Sequence, residues 1–122
     1  AEAREIIDAA ADDGCNFIDT ADVYNGGASE EIVGRAIRQR RRHWVLATKL
    51  FAPTEEGSWS GGLSRRWIMM AAEDSLRRLG TDVIDILYFH REDPTTPMGE
   101  QVRAVADLVR QGKIRHFAVS NT

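Results

Sequence analysis

Apolar residues recur along this chain with two alternating rhythms. Over residues 3–13, Ile6, Ile7 and Ala10 return at helical spacing, and Gly14 follows where a left-handed cap belongs, so the first element is expected to be a helix. Residues 15–19 form a short apolar run that predicts a buried strand. Ser29 then opens a second helix: its hydroxyl suits the free amides, Glu30 and Glu31 suit the positive end of the dipole, and Ile32, Val33, Ala36 and Ile37 form the buried stripe. Residues 45–48 are apolar and partly β-branched, as a strand covered on both faces should be. A loop rich in Gly, Ser and Pro occupies residues 51–63. Ser64 caps a third helix with the stripe Ile68, Ala71, Ala72, Ser75, Leu76 and Leu79, and Gly80 stops it. Residues 84–89 predict a strand. Thr96 and Pro97 start a last helix, proline being tolerated where its missing amide would be unpaired; its inner stripe is Val102, Val105, Ala106 and Val109, and Gly112 ends it. Residues 117–119 close the chain as a strand.

Strict alternation of strand and helix in units of roughly 30 to 40 residues argues for parallel strands joined by helical crossovers. A doubly wound dinucleotide fold would carry G-x-G-x-x-G after its first strand. The nearest match, NGGAS at 25–29, has adjacent glycines and no third one, which leaves a barrel as the better α/β architecture. A closed (β/α)8 barrel takes about 250 residues. With 122 residues, the chain is expected to be an internal, incomplete piece of one domain spanning 1–122. Parallel strands are expected near 16–19, 44–49, 84–90 and 116–121, under helices on one face only, with the other face unusually exposed.

Hydrophobic residues make up 43% of the chain and charged ones 29%, which is enough for a packed core and excludes a disordered segment. A formal charge of −3 gives no electrostatic case for nucleic acid. The basic run Arg38, Arg40, Arg41 and Arg42 falls where a helix should end and reads as a solvated complement to its dipole. Cys15, the single cysteine, allows no internal disulfide or cysteine-based metal cluster and reads as a buried, inert thiol. No stretch is apolar and long enough for a membrane span or signal peptide, so a cytoplasmic location is expected.

The strands end in polar residues that catalysis can use: Asp19, Lys49, His90 and Asn121, with Tyr24 in the loop after the first. In a parallel sheet these share the carboxyl rim, where α/β enzymes place their sites. Each alone also has a structural reading: a turn-starting aspartate, a loop tyrosine, a lysine reaching for water, a loop-entry histidine. His43 and His116 precede their strands at the opposite rim and receive no role. Asp82 and Asp85 read as structural, Trp44 and Trp67 as packing residues, and Trp59, in the long loop after Lys49, is placed to line a substrate pocket.

NFIDTADVYNGGASEEIVGRAI, then VLATK, SLRRLGTDVIDILYFHREDP and LVRQGKIRHFAVSN, together resemble the aldo-keto reductases, in particular the bacterial and potassium-channel β-subunit-like branch. The resemblance implies a (β/α)8 TIM barrel of which this chain runs from the first helix to the fifth strand. It implies reduction of an aldehyde or ketone by NADPH, with NADH not excluded and no metal. The family's catalytic tetrad falls on Asp19, Tyr24, Lys49 and His90, and its cofactor-binding Ser-Asn pair on Ser120 and Asn121, beside Asp19. Hydride attack on a carbonyl leaves an alkoxide that needs a proton, which a phenol can give. An ammonium beside a phenol eases that transfer, and a carboxylate beside the ammonium keeps it charged. His90 would orient the substrate oxygen. Ala118 stands where the family often has Gly. The partner is then a small carbonyl compound, with self-association left open. The other reading is non-enzymatic: a nucleotide-sensing subunit like the channel-associated relatives, or an incomplete barrel without a working site.

Overall fold

The computed structural model describes residues 2–120. Its elements alternate as expected: α1 (Glu2–Asp12), β1 (Phe17–Asp19), α2 (Ala28–Ile37), β2 (Val45–Leu50), α3 (Arg65–Leu79), β3 (Ile84–Phe89), α4 (Met98–Arg110) and β4 (Ile114–Val119), with 3-10 turns at Tyr24–Gly27 and Arg38–His43. The four strands form one parallel sheet in the order β1-β2-β3-β4. Every crossover therefore moves one strand along in the same sense, which is how a barrel wall grows and how a doubly wound sheet does not.

The helices pack on each other in sequence, α1 on α2, α2 on α3 and α3 on α4, so they lie in one layer over one face of the sheet. Trp67, Ile68, Ala71, Ala72, Leu76 and Leu79 of α3 meet Leu46 and Leu50 of β2 and Leu87 and Phe89 of β3 in a single core. Ser64 caps α3 by accepting from the Trp67 amide at 3.1 Å, and Gly80 closes it at φ 65°, both as the pattern predicts. On the uncovered face Phe17 stands 44% exposed and Lys49, Ile86, Tyr88 and Ala118 are half-buried.

Several expectations are corrected. In α1, Ile6 is exposed and only Ala11 is buried. Ser29 does not cap α2. The helix begins at Ala28 behind Gly27 in the left-handed region, and the Ser29 hydroxyl instead meets that of Thr20 at 2.7 Å. Ile32, expected in the buried stripe, is exposed, and Glu30, read as a partner of the helix dipole, is fully buried. Cys15 is exposed rather than buried. Arg41 is no solvated dipole partner: its guanidinium reaches Trp44 O at 2.9 Å, Val83 O at 2.8 Å and Asp85 at 2.8 Å, bolting the lower ends of β2 and β3 together. In α4 the buried residues are Gln101, Ala104, Val105 and Leu108, while Val102 and Val109 of the expected stripe are exposed. The helix carries two apolar faces, and periodicity alone does not say which one meets the sheet. On the second, Met98 and Val102 turn toward Phe117 and Val119 of β4, forming an apolar groove with Leu63 and Phe89.

Candidate active site

Successive side chains of a strand point to opposite faces, and this alternation sorts the polar residues at the strand ends. β1 pairs with β2 in the register Asp19↔Ala47, and β2 with β3 in the register Lys49↔Tyr88. The ladder continues past the strands, with the Thr20 amide donating to Ala47 O at 2.9 Å, Asp22 to Lys49 O at 3.1 Å, His90 to Leu50 O at 3.0 Å and Ser120 to Phe89 O at 3.0 Å. Asp19, Lys49, Tyr88 and His90 consequently share the uncovered face, while Thr20 and Thr48 face the helices.

Lys49 is the centre of the open cluster. Its ammonium donates to Asp19 Oδ2 at 2.6 Å and to Thr20 O at 3.2 Å. The same Nζ lies 5.4 Å from the centre of the Tyr24 ring and 5.7 Å from that of Tyr88, within range of a cation–π attraction. His90 meets Tyr24 edge to face with ring centres 6.3 Å apart. Burial lowers the His90 imidazole below its usual value of 6.5, Lys49 and Arg91 push it the same way, and Asp19 opposes them. The ring is thus neutral near pH 7, able to donate from one nitrogen and accept at the other. Tyr24 itself is 42% exposed, so its phenol stands where a ligand could reach.

The loop that delivers Tyr24 explains the NGG that follows it. Asn25, Gly26 and Gly27 all lie at positive φ, 51°, 62° and 95°, a sequence of left-handed residues that glycine adopts without strain and asparagine tolerates. This tight reversal starts α2 immediately behind the tyrosine.

Four of the residues singled out from the sequence, Asp19, Tyr24, Lys49 and His90, are thus brought together on one rim, with Ser120 following β4 at the same end. Asn121 lies outside the described residues. Trp59 contacts its own loop, donating to Glu55 at 3.3 Å, with Arg66 5.8 Å above its ring. Sequence reasoning missed Tyr88, which the alternation in IDILYFH places on the face of His90. It also missed a buried group behind the rim. Glu30 accepts from Thr48 Oγ1 at 2.6 Å and from Arg78 Nε at 2.7 Å, and the carboxyl of Asp22 is buried beside it.

Comparison with known proteins bears on the family and the fold. The model of the aldo/keto reductase family matches residues 1–122. A probable voltage-gated potassium channel subunit beta of Arabidopsis thaliana is 42% identical over 128 residues, covering 98% of this chain and 37% of the relative. The aldo-keto reductase YhdN of Bacillus subtilis is 41% identical over 119 residues, covering 96% of this chain and 36% of its own length. Among solved structures, the holo form of aldo-keto reductase AKR11C1 from Bacillus halodurans superposes with a TM-score of 0.88 at 38% identity, covering 97% of this chain and 40% of that one. The chain therefore spans well under half the length of these relatives, and its four parallel strands match part of a TIM barrel. It belongs to the aldo/keto reductase family, an oxidoreductase superfamily.

Proposed function

We propose that the segment forms the catalytic part of a nicotinamide-dependent carbonyl reductase, with Tyr24 giving a proton to the substrate oxygen. The observation that carries this reading is the Lys49 ammonium, held at 2.6 Å by Asp19 and 5.4 Å from the Tyr24 ring, with His90 at the edge of the same ring. A phenol, an ammonium beside it, a carboxylate paired with that ammonium, and a neutral imidazole able to donate to an oxygen are the groups a carbonyl reduction needs around the reacting oxygen. Asp19, at 44% side-chain exposure, commits one oxygen to Lys49 and leaves the other side open.

The donor set also fits one end of a nicotinamide cofactor. The Ser120 amide holds that residue on the rim at 3.0 Å from Phe89 O, and its hydroxyl has the donor and acceptor chemistry a carboxamide requires. Ser120, Asp19 and Asn121 would hold that end, and the cofactor, NADPH by the family's habit, would supply the hydride. Tyr24 would then move a proton, Lys49 and Asp19 would set its charge environment, and His90 would orient the carbonyl oxygen. A small aldehyde or ketone is the substrate class, and a metal has no part in this scheme.

The test is Tyr24→Phe in a full-length barrel that contains this segment, assayed as NADPH oxidation with a reactive aromatic aldehyde. Loss of the proton donor should lower turnover by roughly 10² to 10⁴-fold while cofactor affinity stays within about twofold. An unchanged rate would remove Tyr24 from the chemistry. The 42% identity to a channel β subunit supports a second reading, a nucleotide-sensing subunit without turnover. NADPH binding with no reduction of any carbonyl offered would favour it.

A further inference from the structure

We propose that Asp22 is a positioning residue for Tyr24, acting through the turn the two share, and that the charge on its carboxyl sets how firmly that turn is held. The proposal rests on the reading of Tyr24 as proton donor. Asp22 is 2% exposed, and neither of its carboxyl oxygens meets a donor in hydrogen-bonding geometry. Its own amide is tied to Lys49 O at 3.1 Å, and the Tyr24 amide to Ala21 O at 3.3 Å. At the far end of the turn Gly27 rests on Arg78, so closely that a Cβ there would stand 2.9 Å from the arginine Cδ. The turn is thus pinned at both ends, and Asp22, whose amide makes the near pin, is its buried support.

Few charged groups surround it, and none is free to neutralise it. Glu30 of α2 adds negative charge, and Arg78 of α3 is committed to Glu30 at 2.7 Å. From β2, Lys49 offers only its carbonyl, its ammonium being on Asp19 across the sheet. Arg77 and Asp74 of α3 pair with each other, and with Glu55 of the loop after β2 they line a cavity of about 340 Å3 that Asp22 also borders. Burial, and then Glu30, push the Asp22 carboxyl up to about 7, against the pull of Arg78 and of the Asp22 and Val23 amides. Below neutrality the group is uncharged and sits comfortably. Above it, a second buried anion has a direct way out, a rotation into the adjoining cavity toward water, which drags the turn and displaces the phenol.

The experiment follows the two groups together in the intact protein. Asp22 is read by 13C NMR of its carboxyl carbon, and Tyr24 by 19F NMR after incorporation of 3-fluorotyrosine, its signal assigned by its loss in Tyr24→Phe, with Tyr88, the other tyrosine of this segment, as an internal control. We expect the Asp22 and Tyr24 signals to move with one midpoint near pH 7, and Asp22→Asn to abolish that step in Tyr24. A separate step from His90, at lower pH, should survive in the variant. Turnover of wild type should fall roughly 10- to 100-fold across the same midpoint, the scale of a small misplacement, and be flatter in Asp22→Asn. Titration of Asp22 in the ordinary carboxylate range, or a Tyr24 signal indifferent to it, overturns the proposal. Co-titration in wild type decides the matter even if the variant does not fold. Co-titration in a protein that reduces no carbonyl upholds the positioning and removes the catalytic reading of Tyr24.

Discussion

Two carboxylate–cation pairs lie back to back at the upper end of β1 and β2, and they differ in everything except their chemistry. Asp19 and Lys49 face the open side of the sheet; Glu30 and Arg78 lie behind it, gathered by Thr48, the residue just before Lys49. The pleat of the strand separates them by one residue. Glu30 is completely buried and has oxygens occupied by a hydroxyl and a guanidinium, whereas Asp19 keeps 44% of its side chain in solvent. A carboxylate whose two oxygens are both engaged, and which water does not reach, can only hold the fold together. A pair with one side open retains capacity to meet a ligand, and its partners Tyr24 and His90 are arranged around that opening.

The sharpest way to break this contrast is Glu30→Ala. Removing one partner of a buried pair strands the other charge, a loss of roughly 3 to 5 kcal/mol. Here the Thr48 hydroxyl loses its acceptor as well, and Asp22 loses its negative neighbour. Denaturant unfolding in a protein containing the segment should show a large fall in midpoint with unchanged slope. A cost under about 1 kcal/mol would mean that the closed cluster is dispensable and that burial does not separate the two pairs.

How much of this is legible in the sequence follows from the same geometry. Asp19, Lys49 and His90 are polar residues ending apolar runs, so a period-two pattern is enough to place them on one rim. The roles of these residues remain with the proposal; their proximity is what the fold supplies. Glu30 escapes such a reading because a glutamate in the first turn of a helix is the usual partner of the dipole, and nothing local shows that α3 brings Arg78 over it from 48 residues away. Arg41 escapes in the same way, since its partners Val83 and Asp85 lie more than 40 positions along. The buried face of α4 differs from expectation at Val102 and Val109 because two apolar stripes on one helix are equivalent until a neighbour chooses between them. Local pattern carries no information about distant partners, so it reads the sheet better than it reads polar contacts between helices.

Asp93 lies between the two extremes and tests whether partner count alone grades these carboxylates. Set in the loop after β3, it accepts from the Leu63 amide at 2.8 Å, the Thr95 amide at 3.0 Å and the hydroxyls of Thr95 and Thr96 at 2.5 and 2.8 Å, tying the loops after β2 and β3 together. Its partial burial alone would raise the carboxyl, but the Thr95 hydroxyl, the Leu63 amide, the Thr96 hydroxyl and the Thr95 amide outweigh that and hold it at about 2. A carboxylate depressed in the folded state contributes stability that is present above its ordinary value of 3.8 and lost as pH falls through 2. Because solvent reaches part of the group, the contribution should be roughly 1 to 2 kcal/mol rather than the full shift. Melting temperatures measured between pH 5 and pH 2 should drop less steeply for Asp93→Asn than for wild type. Parallel curves would show that the loop clamp does not depend on the charge.

The smallest stability effect is expected at the residue the open cluster most depends on. In Asp19→Asn the replacing amide still offers an oxygen to the Lys49 ammonium, Thr20 O at 3.2 Å continues to accept from it, and water can reach it from the open face. Solvent-exposed pairs contribute about 1 kcal/mol or less, and although the Lys49 side chain is only 11% exposed it keeps Thr20 O and the Asn oxygen as acceptors, so unfolding by denaturant should stay close to that of wild type. If the Asp19 charge serves the chemistry rather than the fold, turnover in a full-length barrel should fall at least tenfold despite that unchanged stability. The two measurements have to be made on the same sample, because only their divergence carries the argument. A loss of stability approaching that of Glu30→Ala would show that the open pair is a second structural clamp, and the division of the two faces into one that holds the fold and one that meets a ligand would no longer stand.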